Sequence, residues 1–349
     1  MTVTVCGRWR NITSVKVLVD HGNPFFLAHG GFQIQIEQTK LALTRIGVDV
    51  EWVRWWDAGQ TGDLIHYFGR PHPAYVQQAA KKQIPIIFSD LLGALGSRGP
   101  CLRWIQKRLI RLSRTCLPQE FTIRMGWDSY QLAKKVIALT PWEKRLMEEQ
   151  FSAPKGKVVV VPNGVEDIFF QNQGDLKREP HLITTMTITE RKRSVELVEA
   201  ATLAGVKIRI LGAPYHPKDP YFEKFLTALG NAKNFVEYLG GAVNREIVAQ
   251  EYKKASGFVL LSAMESQSLS ALEAAASGCP LLLSDLPWAK ISFGTQASYA
   301  PVSSPSTTAT YLKRFFKASG HAPLVGKVWR WEEVAEMLQE IYREAITSR

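Results

Sequence analysis

The stretch Gly257–Asp285, GFVLLSAMESQSLSALEAAASGCPLLLSD, limits what this chain can fold into more than any other. Phe258 to Leu261 is an apolar run of the length of a buried strand. Glu265-Ser266-Gln267-Ser268 reads as a polar turn, and Leu269 to Ala276 as a Leu- and Ala-rich helix. Gly278 stops that helix, and Pro280 to Ser284 is a second strand. Strand, loop, helix and strand in this order form the unit of a parallel α/β sheet. The loop is where such sheets take ligands, and the helix N-terminus after it offers free N–H groups to an anion. Glu265 lies in the loop and Glu273 on the helix. By spacing alone the two also read as a helix-start acid and a solvated one.

A chain of 349 residues, 46% of them hydrophobic, is long enough for two domains with sizeable cores at roughly 150 residues each. Its four cysteines, Cys6, Cys101, Cys116 and Cys279, show no CxxC pairing and fit free thiols in a reducing compartment. No apolar run approaches the ~20 residues that span a bilayer. Residues 1–14 read as a loose leader without the apolar core of a signal peptide, so a cytoplasmic location is expected. The formal net charge of +11 suits nucleic acid, an anionic membrane surface or phosphorylated substrates.

Strands are predicted at Lys16 to Asp20, Val48 to Val53, Leu64 to Phe68, Ile84 to Phe88, Val136 to Leu139 and Lys157 to Val161. After the first comes His29-Gly30-Gly31 and a helix from Phe32 to Ile46, ended by Gly47. Gly30-Gly31 reads either as a tight turn or as a phosphate cradle, because glycine lets backbone N–H groups approach an oxyanion. A helix follows over Pro73 to Lys82, and His66, inside a strand, reads as a core residue. Thr140-Pro141-Trp142-Glu143 is a capping box starting a helix that runs to Gln150. Pro162-Asn163-Gly164-Val165 closes this half, and Gln171 to Pro180 is a polar linker.

Arg98 to Thr115 stands apart. On a helical wheel Leu102, Ile105, Leu109 and Leu112 fall on one face and Arg103, Lys107, Arg111 and Arg114 on the other, with no acid in the segment. It reads either as an ordinary surface helix packed on its own domain or, over 102–114, as a helix lying on anionic lipid. Nucleic acid is disfavoured, since no aromatic or glycine-rich binding module accompanies the charge.

In the second half a strand at Leu182 to Met186 leads through Thr187-Ile188-Thr189-Glu190-Arg191-Lys192-Arg193 into a helix from Ser194 to Leu203. Strand and helix then alternate: Val206 to Leu211, Pro220 to Leu229, Phe235 to Leu239, Arg245 to Ala255. Beyond the opening stretch, Ser303 to Thr308 is a predicted loop, Tyr311 to Lys317 a helix, and Glu332 to Ala345 a last amphipathic helix.

Taken in order, Gly30-Gly31, Pro162-Asn163-Gly164, Arg191-Lys192 and Glu265 to Glu273 resemble the motifs of the retaining, family-4 glycosyltransferases of the GT-B fold. The resemblance implies an α/β protein of two Rossmann-like domains whose parallel sheets face each other across a cleft. It divides the chain into an acceptor-side domain, 1–172, a donor-binding domain, 173–330, and a terminal helix, 331–349, that packs back on the first. The implied reaction moves a sugar from a nucleotide diphosphate donor to a glycan or lipid-linked acceptor hydroxyl, with retention. By the same resemblance Lys192 and Arg191 face the donor diphosphate, and Glu265 holds the sugar. Glu273 accepts from the ribose hydroxyls, while Gly30, Gly31, Ser268 and Leu269 complete the donor site. No metal site and no cofactor beyond the donor are implied, because the two cations can take the phosphate charge.

Three positions depart from the family pattern: Met186 stands for a glycine, and Gln267-Ser268 for an aromatic residue and glycine. Ser89-Asp90 stands where many relatives carry a histidine, so no catalytic histidine is expected. A nucleotide-sugar epimerase and a catalytically weak nucleotide-sugar or membrane-binding protein are the alternatives. A dehydrogenase is disfavoured, since no GxGxxG follows the first strand.

Overall fold

The computed structural model describes residues 15–26, 30–170, 178–232, 234–241 and 244–347. The predicted leader, Cys6, His29 and 171–177 of the predicted linker lie outside them.

The described strands form two sheets. The first holds β1 (Lys16–His21), β2 (Asp49–Trp52), β3 (Leu64–Phe68), β4 (Ile86–Ser89), β5 (Lys135–Ala138) and β6 (Val158–Val160). The second holds β7 (Glu179–Thr185), β8 (Ile208–Leu211), β9 (Val236–Tyr238), β10 (Ala255–Leu260), β11 (Leu281–Ser284) and β12 (Ser298–Ala300). The orders are β2-β1-β3-β4-β5-β6 and β12-β11-β10-β7-β8-β9, and neighbours pair in parallel. Helices cover both faces, which is why inner strands such as β4, IIFS, and β11, LLLS, are buried at every residue. Each sheet reverses its winding once, between β1 and β3 and between β7 and β10. Parallel sheets bind ligands outside the carboxyl ends of their strands at that reversal.

Several boundaries differ from expectation. β7 begins at Glu179, so Glu179 and Pro180 belong to a strand and not to the linker. Of the predicted loop Ser303 to Thr308, Pro305 to Thr308 are instead the start of a helix, Pro305–Ala318, capped by Ser304 Oγ accepting from Thr307 N–H at 3.2 Å. Ser before Pro is a helix start as readily as a turn. At Thr140 only half of the capping box forms. Its Oγ1 accepts from Glu143 N–H at 3.1 Å, but the Glu143 carboxylate turns inward to Leu92 N–H, 2.9 Å, and Leu139 N–H, 3.1 Å.

The chain crosses between the sheets at Pro162–Val165 and again near 330. There Val165 N–H donates to Trp329 O at 2.9 Å, and a Cβ on Gly164 would stand only 2.6 Å from Trp331 Cα. The helix Trp331–Thr347 then packs on the first sheet, with Trp331, Val334, Leu338 and Tyr342 in one core with Val17, Val19, Leu43 and Ile137. His66 is buried in that contact, its Nδ1 2.6 Å from Tyr342 Oη and its Nε2 2.8 Å from Ser89 Oγ.

The basic helix spans Pro100–Cys116 and is turned opposite to an ordinary surface helix. Its edge toward the domain is largely polar and basic: Ile110 is its one described buried residue. Arg103 lies over the Trp142 ring at 4.4 Å, and Arg114 stands 3.5 Å from Asp128 and donates to Phe151 O at 3.3 Å. Leu102, Ile105, Leu109 and Leu112 point outward, between 47% and 60% exposed. Among the described residues no helix is long and apolar enough to cross a membrane.

Candidate active site

A cavity of about 720 Å3 lies between the two sheets, at both winding reversals. The eight residues singled out in the sequence, Gly30, Gly31, Arg191, Lys192, Glu265, Ser268, Leu269 and Glu273, all stand on its wall. They come from the loops after β1, β7 and β10 and the helices that follow the first and last of these, and the topology brings these together although the chain holds them far apart.

After β7 the chain makes one 3-10 turn, Glu190–Lys192, before the helix Ser194–Ala204 begins. Arg193 there adopts a left-handed conformation, φ 57°. The turn presents Arg191 and Lys192 to the loop after β10. Lys192 Nζ donates to Glu265 Oε1 at 2.5 Å, and Arg191 Nη1 donates to the same oxygen at 3.0 Å and to Met264 O at 2.9 Å. Burial disfavours both charges, pulling the Lys192 ammonium below its ordinary value and working to raise Glu265. Two cations on one carboxylate outweigh it for Glu265, whose carboxyl lies below the usual range.

Ser268 caps the helix Leu269–Ala276, its Oγ accepting from Ala271 N–H at 3.4 Å. The N–H groups of Leu269 and Ser270 precede the first intrahelical donor, so they are available to a ligand in the cavity. Further along this helix Glu273 is buried, and its Oε1 accepts from Arg245 Nη2 at 2.7 Å. Burial raises the Glu273 carboxyl, with Arg245 opposing. Arg245 also pairs with Glu166, its Nε donating at 2.9 Å.

The departures from the family pattern have physical counterparts. Met186 is paired tightly with Gly212, φ 153°, where any Cβ would fall 1.7 Å from Met186 O. The close backbone approach in this region is thus supported by a glycine after β8. Gln267 reaches across to the first half: its Oε1 accepts from Asn163 N–H at 2.7 Å, and its backbone oxygen lies 3.4 Å from Asn163 Nδ2. Gly30, φ 135°, and Gly31 also meet the second half, since Cβ atoms there would stand 3.7 Å from Thr187 Oγ1 and from Leu269 Cδ1. At Ser89-Asp90, where no catalytic histidine is expected, Asp90 lines the cavity but is held by Arg70, at 2.8 and 3.0 Å, and by the Tyr130 hydroxyl.

Sequence reasoning missed Arg245, Glu166, Arg70 and the inward turn of Glu143. Arg245 carried a signal. It follows the N-cap Asn244 in the first turn of a helix, where the dipole favours an acid and a cation is out of place unless something else engages it.

Two facing doubly wound sheets with a cleft at their winding reversals are the architecture of the GT-B glycosyltransferases. Residues 183–317 match the family model described as Glycosyl transferases group 1. Solved structures with the same fold include a sucrose-phosphate synthase from Thermosynechococcus elongatus. It is 16% identical, with 96% of this chain and 100% of that one covered, at a TM-score of 0.70. A glycosyltransferase from Rickettsia africae is 14% identical, with 96% and 100% covered and a TM-score of 0.65. HepE of Anabaena, solved in complex with UDP-glucose, is 13% identical, with 95% and 100% covered and a TM-score of 0.63. No curated protein sequence matches the chain.

Proposed function

We propose that this protein transfers a sugar from a nucleotide diphosphate donor to an acceptor hydroxyl, with retention and without a metal, as a family-4 enzyme. The observation that carries the reading is the convergence of Arg191, Lys192, Glu265, Glu273 and the Leu269 helix N-terminus on one cleft between two doubly wound sheets. The bond from the anomeric carbon to the diphosphate oxygen breaks, and one to the acceptor oxygen forms. Charge grows on the leaving diphosphate, where Lys192, Arg191 and the helix amides stand to receive it. Fixed cations of this kind serve the role a divalent metal would serve. Glu273 accepts from the ribose hydroxyls, and Glu265 orients both the cations and the sugar.

Retention is supported by the state of the acids. All three carboxylates on the described cavity wall, Asp90, Glu265 and Glu273, are already ion-paired with Arg70, Lys192 and Arg245. None is a free base for attack from the opposite face. In a front-face reaction the acceptor proton passes to the leaving diphosphate oxygen, and no protein base is required.

That HepE was crystallised with UDP-glucose makes uridine diphosphate sugars the first donors to try. The acceptor is a glycan or a lipid-linked hydroxyl; in the lipid-linked case 102–114 is the segment to hold the enzyme at a membrane. Screening nucleotide sugars for thermal stabilisation, then following product mass and anomeric configuration with the stabilising donor, tests the reading. A stabilising nucleotide sugar and an α-linked product from an α-linked donor are expected. Inversion at the anomeric carbon overturns retention, and a panel in which nothing stabilises overturns donor binding.

A further inference from the structure

The structure assigns a docking surface for an anionic bilayer to the outward face of the helix Pro100–Cys116 and the short helix Gln119–Ile123 after it. An amphipathic helix of a soluble domain buries its apolar stripe. Here the stripe is turned out, with Leu102 60%, Leu109 57% and Leu112 58% exposed, while Arg103 and Arg114 pack on the domain. The apolar surface continues past the helix end through Leu117, Phe121 and Met125, all at least half exposed. So many large apolar side chains in one run of sequence mark an interaction site.

Charge selects the occupant. Along one edge of the outward stripe Arg108 and Arg111 are exposed, Arg98 and Arg124 are exposed near its two ends, and Glu120 is the one acid between 98 and 125. Trp104, 57% exposed with the Arg108 guanidinium 4.2 Å from its ring centre, lies on that same edge. An apolar stripe bordered by arginines and a tryptophan is the composition of a helix lying in a headgroup layer, with apolar side chains in the acyl boundary and cations at the phosphates. A second copy of the chain would bring arginines against arginines, and like charges suppress such pairing. The site also suits a lipid-linked acceptor. Gly93 and Ala94 line the cavity, and the basic helix begins seven residues after Gly93, within about 25 Å of extended chain.

The geometry changes which arginines matter. Arg103 and Arg114 hold the helix to its domain, so the bilayer is met by Arg108 and Arg111 and by the leucine stripe. Docking itself does not depend on the transferase reading; only its consequence for the acceptor does.

The test is cosedimentation of the full chain with vesicles about one-third phosphatidylglycerol in phosphatidylcholine, and with phosphatidylcholine alone, at low and high salt. The unaltered protein should sediment with the anionic vesicles at low salt and release at high salt. Arg108→Gln with Arg111→Gln should weaken binding about 25-fold, at about fivefold per cation. Ile105→Ser with Leu109→Ser and Leu112→Ser should abolish it, with the melting temperature unchanged because these side chains are exposed. No binding to anionic vesicles at low salt, or equal binding by either variant, overturns the proposal. So does a dimer of the unaltered protein that the serine variant converts to monomer. None of these readouts uses a nucleotide sugar, so they stand apart from the tests of transfer.

Discussion

Gln267 Oε1 accepts the backbone N–H of Asn163 at 2.7 Å, joining the loop after β10 to the crossing segment of the first half. Beside it, Gly93 packs so closely on the Glu265–Ser266 backbone that a Cβ would stand 3.1 Å from it. The donor-side loop is therefore positioned by the opposite half of the molecule as well as by its own. Gln267→Ala leaves Asn163 N–H without this partner and should cost about 1 kcal/mol, read as a lower denaturation midpoint. An unchanged midpoint would mean that the contact contributes nothing to stability.

Glu273→Ala should weaken nucleotide binding at least about tenfold, since a hydrogen bond to a charged group is worth roughly 1.5–3 kcal/mol. Calorimetry with a folded variant checks it, and unchanged affinity ends the ribose assignment.

Arg245 opposes the burial that raises the Glu273 carboxyl. With Arg245→Met the carboxyl should rise further, so that nucleotide affinity drops and recovers as pH increases. A titration series giving flat, unaltered affinity across pH would show that Arg245 plays no such part.

Lys192→Ala should lower turnover more than donor affinity, because diphosphate charge is greatest in the transition state. A raised Michaelis constant with normal turnover would make Lys192 a binding group only. Activity should also survive a chelator; loss restored by magnesium or manganese would contradict a metal-free transfer.

Burial pushes the Glu143 carboxyl up to about 7, despite donors from Leu92 and Leu139 that favour its ionised form. A carboxyl raised on folding favours the folded state below its ordinary value of 4.5, and that contribution fades as pH climbs toward 7. The chain should thus lose about 3 kcal/mol of stability over that window, and Glu143→Gln should flatten the loss. Melting curves from pH 4 to 8, roughly spanning the window, settle it; equal slopes for both proteins would place the titration elsewhere.

Much of this was legible in the sequence, for physical reasons. The unit from β10 to β11 is written locally: apolar runs of strand length, an Ala-rich helix and Gly278 at its end determine one another over a short stretch. The pairing of Arg245 with Glu166 joins residues 79 apart, and no local pattern fixes such a contact. The basic helix shows a third case. Periodicity reveals that Pro100–Cys116 has two faces, but which face turns inward depends on Trp142, Asp128 and Phe151, contributed by other elements. Likewise, Ser303 to Thr308 is predicted as a loop, yet a helix starts at Pro305 and buries Thr308, Ala309, Leu312 and Phe315.

The central claim is that the cleft binds a nucleotide diphosphate sugar through its cations and Glu273. The direct measurement is calorimetric titration of a panel of nucleotide diphosphate sugars into the unaltered protein and into folded Lys192→Ala and Glu273→Ala variants. The account predicts saturable, one-to-one binding of at least one member, weakened about tenfold or more by Glu273→Ala and less by Lys192→Ala. Binding to none of the panel, or equal binding by all three proteins, would contradict it.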